Sequence, residues 1–226
     1  MQAPKQLAQP YATLAPCIDA DLSAATADKR ARPDTSPLGG ACSTSRTRLE
    51  CPALLQLMTT STARVLGPQD GKAGFLGSIG VRFMIDGVDT SEGFSLVEHP
   101  MSAHALAAPL HRHTREDEYS YVVEGSVGAL LGDKVVVAVP GDLIFKPRNQ
   151  WHTFWNAGDE PARILEIIAP AGFEGFFKEL VDMGGVLKAA PETLGELCAR
   201  YGLEMDPGSV PGLIERFGLK FPGEPI

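Results

Sequence analysis

The sequence predicts an all-β fold, a sandwich or barrel of short strands, carrying a helical C-terminal extension. Three observations predict it. From about Gly74 to Ile168, short runs of β-branched and apolar residues alternate with turns rich in Gly, Pro, Asn and Asp. Inside that region three imidazoles and a carboxylate, His111, His113, Glu118 and His152, stand at spacings that suit strands converging on one point. After Ile168 the apolar period lengthens from that of a strand to that of a helix.

Residues 1–57 differ from the rest. Of the chain's sixteen aromatic residues only Tyr11 lies there, in a stretch rich in Ala, Thr, Ser and Pro. Such a segment buries too little apolar surface to offset its ordering entropy. It is expected to be mostly disordered and dispensable, with a short helix near Pro52–Leu57 and a natural start at Met58.

The barrel is expected over residues 58–170. Ser78–Ile85 and Phe94–Glu98 flank the turn-rich Asp86-Gly87-Val88-Asp89-Thr90 and predict a hairpin. His111–His113 and Tyr119–Glu124 follow as strands. Val127–Leu131 and Val135–Val139 are joined by Gly132-Asp133, a short hairpin connection. Pro140-Gly141 predicts a type II turn, because Pro presets the first central position and Gly accepts positive φ at the second. Leu143–Phe145, Thr153–Asn156 and Ala162–Ile168 complete the set.

Residues 171–226 form the helical extension. Phe173, Phe176, Phe177, Leu180 and Val181 make an amphipathic stripe that Gly184-Gly185 ends. A weak repeat follows, in which Leu197, Arg200, Tyr201, Gly202 and Leu203 recur as Leu213, Arg216, Phe217, Gly218 and Leu219. Each copy predicts a short helix stopped by Gly and then an extended apolar step. These helices are expected to cap the barrel or a partner subunit.

Side chains two apart on a strand share a face, about 6.6 Å from each other along the chain. His111 and His113 can therefore point at one ion, Glu118 can return after a turn through Thr114–Asp117, and His152 can arrive from a later strand. Three imidazoles and one carboxylate are a complete donor set for a divalent transition metal inside a barrel.

The same residues resemble the two signature motifs of the cupin family. The first motif is matched by His111, His113, Glu118 and Gly125, the second by Gly141, Pro147, His152 and Asn156. Ala105 replaces the leading Gly of the first motif, and Asn149 replaces the Gly after Pro147, a position where Asn tolerates a left-handed backbone. The resemblance covers roughly residues 65–170. It implies a cupin jelly-roll β-barrel with one divalent metal per chain, among Fe, Mn, Ni, Cu and Zn, held by His111, His113, Glu118 and His152. The likeness to small single-barrel, quercetin dioxygenase-like cupins implies an oxidoreductase acting on a small enol, catechol or flavonol-type molecule. Two alternatives stay open: Lewis-acid isomerase or lyase chemistry with Glu118 as the catalytic base, and a non-catalytic small-molecule binder.

Composition narrows the partners. The chain has 226 residues and a net charge of −8, which disfavours nucleic acid and anionic membranes. No apolar run is long enough for a transmembrane helix, and the N-terminus lacks a signal-peptide pattern, so a cytoplasmic address is expected. Cys17, Cys42, Cys51 and Cys198 show no Cys-x-x-Cys pairing, which argues against a disulfide scaffold or zinc knuckle.

Strand parity sorts the remaining side chains. Ser120, Val122 and Phe154 should face inward, and Phe83, Phe145 and Phe154 should add an apolar lining. Trp151 and Trp155 should face outward, with Tyr119 and Tyr121 open to the same reading, covered by the Phe173–Val181 helix or by the second subunit of a homodimer. Glu116 and Asp117 read as solvated loop charges. His99 and His104 read as surface residues, with a pocket-edge acid/base role as the sharper alternative for His104.

Overall fold

The computed structural model describes residues 62–225; the expectations for residues 1–57 lie outside them. The described residues form eleven strands: β1 (Ala73–Phe75), β2 (Gly80–Ile85), β3 (Ser95–Met101), β4 (Leu110–His113), β5 (Asp117–Glu124), β6 (Val127–Leu131), β7 (Lys134–Ala138), β8 (Leu143–Lys146), β9 (His152–Asn156), β10 (Ala162–Ala169) and β11 (Leu203–Asp206). They make two sheets, one ordered β1-β2-β3-β10-β5-β8 and the other β11-β4-β9-β6-β7. Neighbouring strands pair antiparallel. Three helices follow the barrel strands: α1 (Glu174–Asp182), α2 (Pro191–Tyr201) and α3 (Val210–Phe217). The all-β jelly-roll barrel and its helical extension are therefore present.

The turns follow from local chemistry. Leu131 pairs with Lys134 across Gly132-Asp133, and Gly132 takes φ 59°. Gly141 takes φ 99° after Pro140, as a type II turn requires. Asn149 adopts φ 64°, so the Asn that replaces a family Gly carries the left-handed residue itself. At the other departure His104, at φ 63°, turns the chain instead, and Ala105 is fully buried.

Between the sheets Val81, Val97, Val122, Val127, Ile164 and Ile168 are essentially inaccessible. They come from strands of both sheets, which is how a jelly roll spends its inward-facing positions. A second cluster lies outside this core, where Leu106, Trp155, Leu213 and Leu219 pack together. The Trp155 ring stacks on Phe217 with centroids 4.4 Å apart, a contact worth about 0.5–1.5 kcal/mol beyond its buried area. Trp155 does face outward, but α3 covers it, and the Phe173–Val181 helix does not. That stripe instead turns Phe173 and Phe176 into the main core. Gly128 lies opposite Trp155 in the β6–β9 register, and a Cβ there would sit 2.3 Å from the indole, so the ring occupies the place of a side chain.

Both copies of the sequence repeat fold as expected. Gly202 and Gly218 end their helices in the left-handed conformation, and Leu203 and Leu219 are buried immediately after. The first copy then continues as β11, which pairs with β4 in the register Leu203 to His113 and Met205 to His111. No helix among the described residues is long and apolar enough to cross a membrane.

Candidate metal centre

The four predicted donors come together from both sheets. Strand β4 alternates so that His111 and His113 are buried on the interior face. Strand β9 pairs with β4 with His111 directly opposite His152. Strand β5 of the other sheet brings Glu118 across the interior. One ligand atom from each of His111, His113, Glu118 and His152 lies within 4.8 Å of all the others, and all four residues are buried.

Each ring is oriented by an acceptor behind it. His111 Nδ1 donates to the Pro109 carbonyl at 2.8 Å and His152 Nδ1 to the Gln150 carbonyl at 2.9 Å. His113 Nδ1 donates to the Glu116 carboxylate at 2.7 Å. Carbonyl oxygens only accept, so the proton of each neutral ring belongs on Nδ1 and the lone pair on Nε2. Glu118 Oε2 sits among these nitrogens, 3.2 Å from His152 Nε2 and 3.4 Å from His113 Nε2. His113 Nε2 is buried and has no hydrogen-bond partner despite that approach. Backed imidazoles, a carboxylate and an orphaned inward nitrogen together fit a divalent transition ion.

A second layer lies beneath the donors in the six-stranded sheet. Glu118 is directly opposite Lys146 on β8, and Ser120 is directly opposite Glu166 on β10. Lys146 Nζ lies 3.1 Å from Glu118 Oε2 and 3.0 Å from Glu166 Oε2, and Ser120 Oγ donates to Glu166 Oε2 at 2.7 Å. The ammonium also lies 4.5 Å from the centre of the Phe154 ring. Lys146 and Glu166 are both 1 % exposed, so the ammonium depends on Glu166 and Glu118 for compensation, while Glu166 has Lys146 as its counter-charge and is disfavoured by the nearby Glu118.

The electrostatics follow from this packing. Burial works against the Glu118 charge, but His113 and Lys146 outweigh it and hold the carboxyl well below its usual range. Burial also opposes a charged His113, yet Glu118 and Glu116 push it up to about 9. Burial, reinforced by His152 and His113, drives His111 well below an ordinary histidine. Burial raises Glu166 to about 7 even though Lys146 and Ser120 favour its charged form. His99 is lowered by burial to about 4, so it is a neutral ring at physiological pH.

Several expectations change here. Glu116 is not a solvated loop charge; it is 4 % exposed and holds His113. Asp117 is an ion-pair partner of Arg148 at 2.8 Å. His99 is not on the surface but 2 % exposed, bonded to the Gly80 carbonyl and lining the pocket with the donors. Phe145 points outward, 49 % exposed, and stacks on Tyr119, because Ile144 and Lys146 take the inward positions of β8. Ser120, Val122 and Phe154 face inward as parity predicts. His104 is partly exposed and pairs with Asp159 at 2.9 Å. Lys146 and Glu166 join the site beyond the residues expected from the sequence, and the carboxylate within Ile164-Leu165-Glu166-Ile167-Ile168 is the sequence signal of a buried polar role. The pocket above the donors has a volume of about 60 Å³, and Phe173, Phe176 and Phe177 close it.

Residues 98–168, within the barrel, match the cupin domain family. Similar solved structures include the polyketide cyclase RemF from Streptomyces resistomycificus, 30% identical over 49% of this chain and 81% of that one, with a TM-score of 0.43. KdgF from Halomonas sp. is 16% identical over 50% of this chain and 99% of that one, with a TM-score of 0.45. A predicted oxalate decarboxylase from Thermotoga maritima is 16% identical over 47% and 99%, again at 0.45. A comparison with curated proteins gave no match.

Proposed function

We propose that the barrel is a metal-dependent enzyme that holds one divalent transition ion on His111, His113, Glu118 and His152 and moves a proton on a small carbonyl or enol substrate. A bound ion would supply Lewis acidity, polarising a substrate oxygen and stabilising an enolate. The observation that carries the proton-transfer reading is the buried Lys146–Glu166 pair behind the donors. Glu166 lines the donor pocket, and its Oε1 is buried without a hydrogen-bond partner. A carboxyl titrating near neutrality is suited to exchange protons. Lys146 lies between the Glu118 and Glu166 carboxylates and holds both in place. Glu118, the base expected from the sequence, is the weaker candidate because Lys146 and His113 lower its basicity.

The second reading is the dioxygenase implied by the family resemblance. It is favoured by a donor set that suits redox ions and by the Phe154, Phe173, Phe176 and Phe177 lining, which excludes water. Two assays on metal-loaded protein separate the readings. Benzoin in D2O should gain deuterium at its carbinol carbon without oxygen consumption, and Glu166→Gln should abolish the exchange while metal content stays the same. Oxygen uptake with a flavonol, catechol or β-diketone, without exchange, would replace the proton-transfer reading by the oxidative one.

We also infer a homodimer. Tyr121, Leu143 and Phe145 expose apolar side chains on the six-stranded sheet, and Val137 and Val139 do so along and just beyond β7. Sedimentation of the full chain tests this; a monomer at micromolar concentration refutes it.

A further inference from the structure

A second and larger cavity adjoins the metal pocket, with a volume of about 480 Å³. Leu76, Ala107, Ala108, Phe176, Phe177 and Met205 line both, so the two spaces share a wall. The far walls come from the C-terminal extension: Leu180 on α1, Leu194 on α2 and Val210 on α3. These residues lie outside the segment that matches the family, so the cavity is built by parts of this chain that the barrel alone does not supply. Among the described lining residues only Ser78 has a polar side chain, and its hydroxyl donates to the Ala107 carbonyl at 2.5 Å. No charged side chain among the described residues lines it.

That chemistry restricts the occupant. A sugar or a phosphorylated body would leave its hydroxyls or charges without partners here, at a cost of several kcal/mol. The volume falls within the roughly 300–1,000 Å³ of sites that enclose a whole small molecule. Phe176, Phe177 and Phe221 offer ring faces and edges, which favour flat aromatic groups. We propose that the chamber binds the apolar, aromatic body of the substrate, an aryl ketone or phenol of two or more rings, while its oxygen-bearing head reaches the four donors. The placement of the head rests on the metal-dependent reading above; the binding of the body rests on the chamber alone.

The test compares two O,O-bearing probes, benzoin with two aryl rings and hydroxyacetone with none, titrated calorimetrically into the full chain with and without Ni(II). Benzoin should bind the ion-free protein, and Ni(II) should tighten it, while hydroxyacetone should bind only when Ni(II) is present. Val210→Trp and Leu194→Trp fill the chamber from two different helices, and both positions are only partly buried, so the fold should accept them. Each should weaken benzoin about tenfold or more, as expected when a shaped apolar site is occupied, and leave Ni(II) stoichiometry and hydroxyacetone binding unchanged. Wild-type protein that ignores benzoin, or folded fillers that bind it as tightly as wild type, would overturn the chamber. Protein that takes no Ni(II) yet binds benzoin in a filler-sensitive way would sink the metal reading and leave the chamber standing.

Discussion

Replacing Glu116 by Ala removes the acceptor that holds the His113 ring, and the structure sets the size of the effect. The Nδ1–Oε1 distance is 2.7 Å, and Glu116 is 4 % exposed, so water cannot readily take over the bond. Losing a buried partner of this kind costs about 1–3 kcal/mol. The loss falls mainly on the ion-loaded state, because an ion on Nε2 makes the Nδ1–H a stronger donor. At about 1.4 kcal/mol per factor of ten, that is roughly 5- to 150-fold in affinity, consistent with the 10- to 100-fold typical of groups that orient metal ligands. Glu116→Gln keeps a neutral acceptor and should lose about half as much free energy. Competition titration of Ni(II) against a fluorescent chelator at pH 7.5 reads both constants, with melting curves confirming the fold. An Ala variant that folds normally and binds Ni(II) with an unchanged constant would refute the orienting role of Glu116.

His113→Ala leaves a three-ligand remnant and should lose affinity for the ion by about tenfold or more, read as metal content after dialysis; wild-type content would contradict the assignment. Glu174 gives a pH dependence: burial opposes its charge, but the amides of Gly87 and Gly172, at 2.9 and 2.6 Å, win and depress its carboxyl. Its stabilisation is thus complete above the ordinary Glu value of about 4.3 and disappears as pH falls through the lower folded value. Glu174→Gln should therefore destabilise the protein at pH 7 and flatten the acid limb of its melting-temperature profile, and an unchanged limb would exclude that linkage. Gly128→Ala drives a methyl into the Trp155 indole and should cost about 1–3 kcal/mol of stability, seen in urea unfolding monitored by tryptophan fluorescence.

The strands, the turns and the clustering of His111, His113, Glu118 and His152 are legible because they rest on local rules. Period-two alternation puts His111 with His113 and Glu118 with Ser120 and Val122 on interior faces, and Gly132, Gly141 and Asn149 declare their turns through φ. The misread residues share another character. Glu116 reads as a loop charge in the sequence because nothing local shows that His113 Nδ1 waits for it. His99 reads as a surface residue because its partners, the Gly80 carbonyl and the Phe177 ring, are distant in sequence. For Phe145 and Lys146 the hydrophobic preference of each residue taken singly points the opposite way to the parity of β8. Only the cross-strand pairs of Lys146 with Glu118 and of Ser120 with Glu166 explain why a charged side chain takes the interior.

The sequence by itself determined the barrel, its turns and which four His and Glu side chains gather inside it, because backbone periodicity, turn chemistry and side-chain type are properties of neighbouring residues. Tertiary structure alone decided what backs each donor, which helix covers Trp155 and how the C-terminal extension walls an apolar chamber beside the site. Those outcomes depend on strand register and long-range packing, where burial changes the charge a side chain can carry, and no local pattern encodes them.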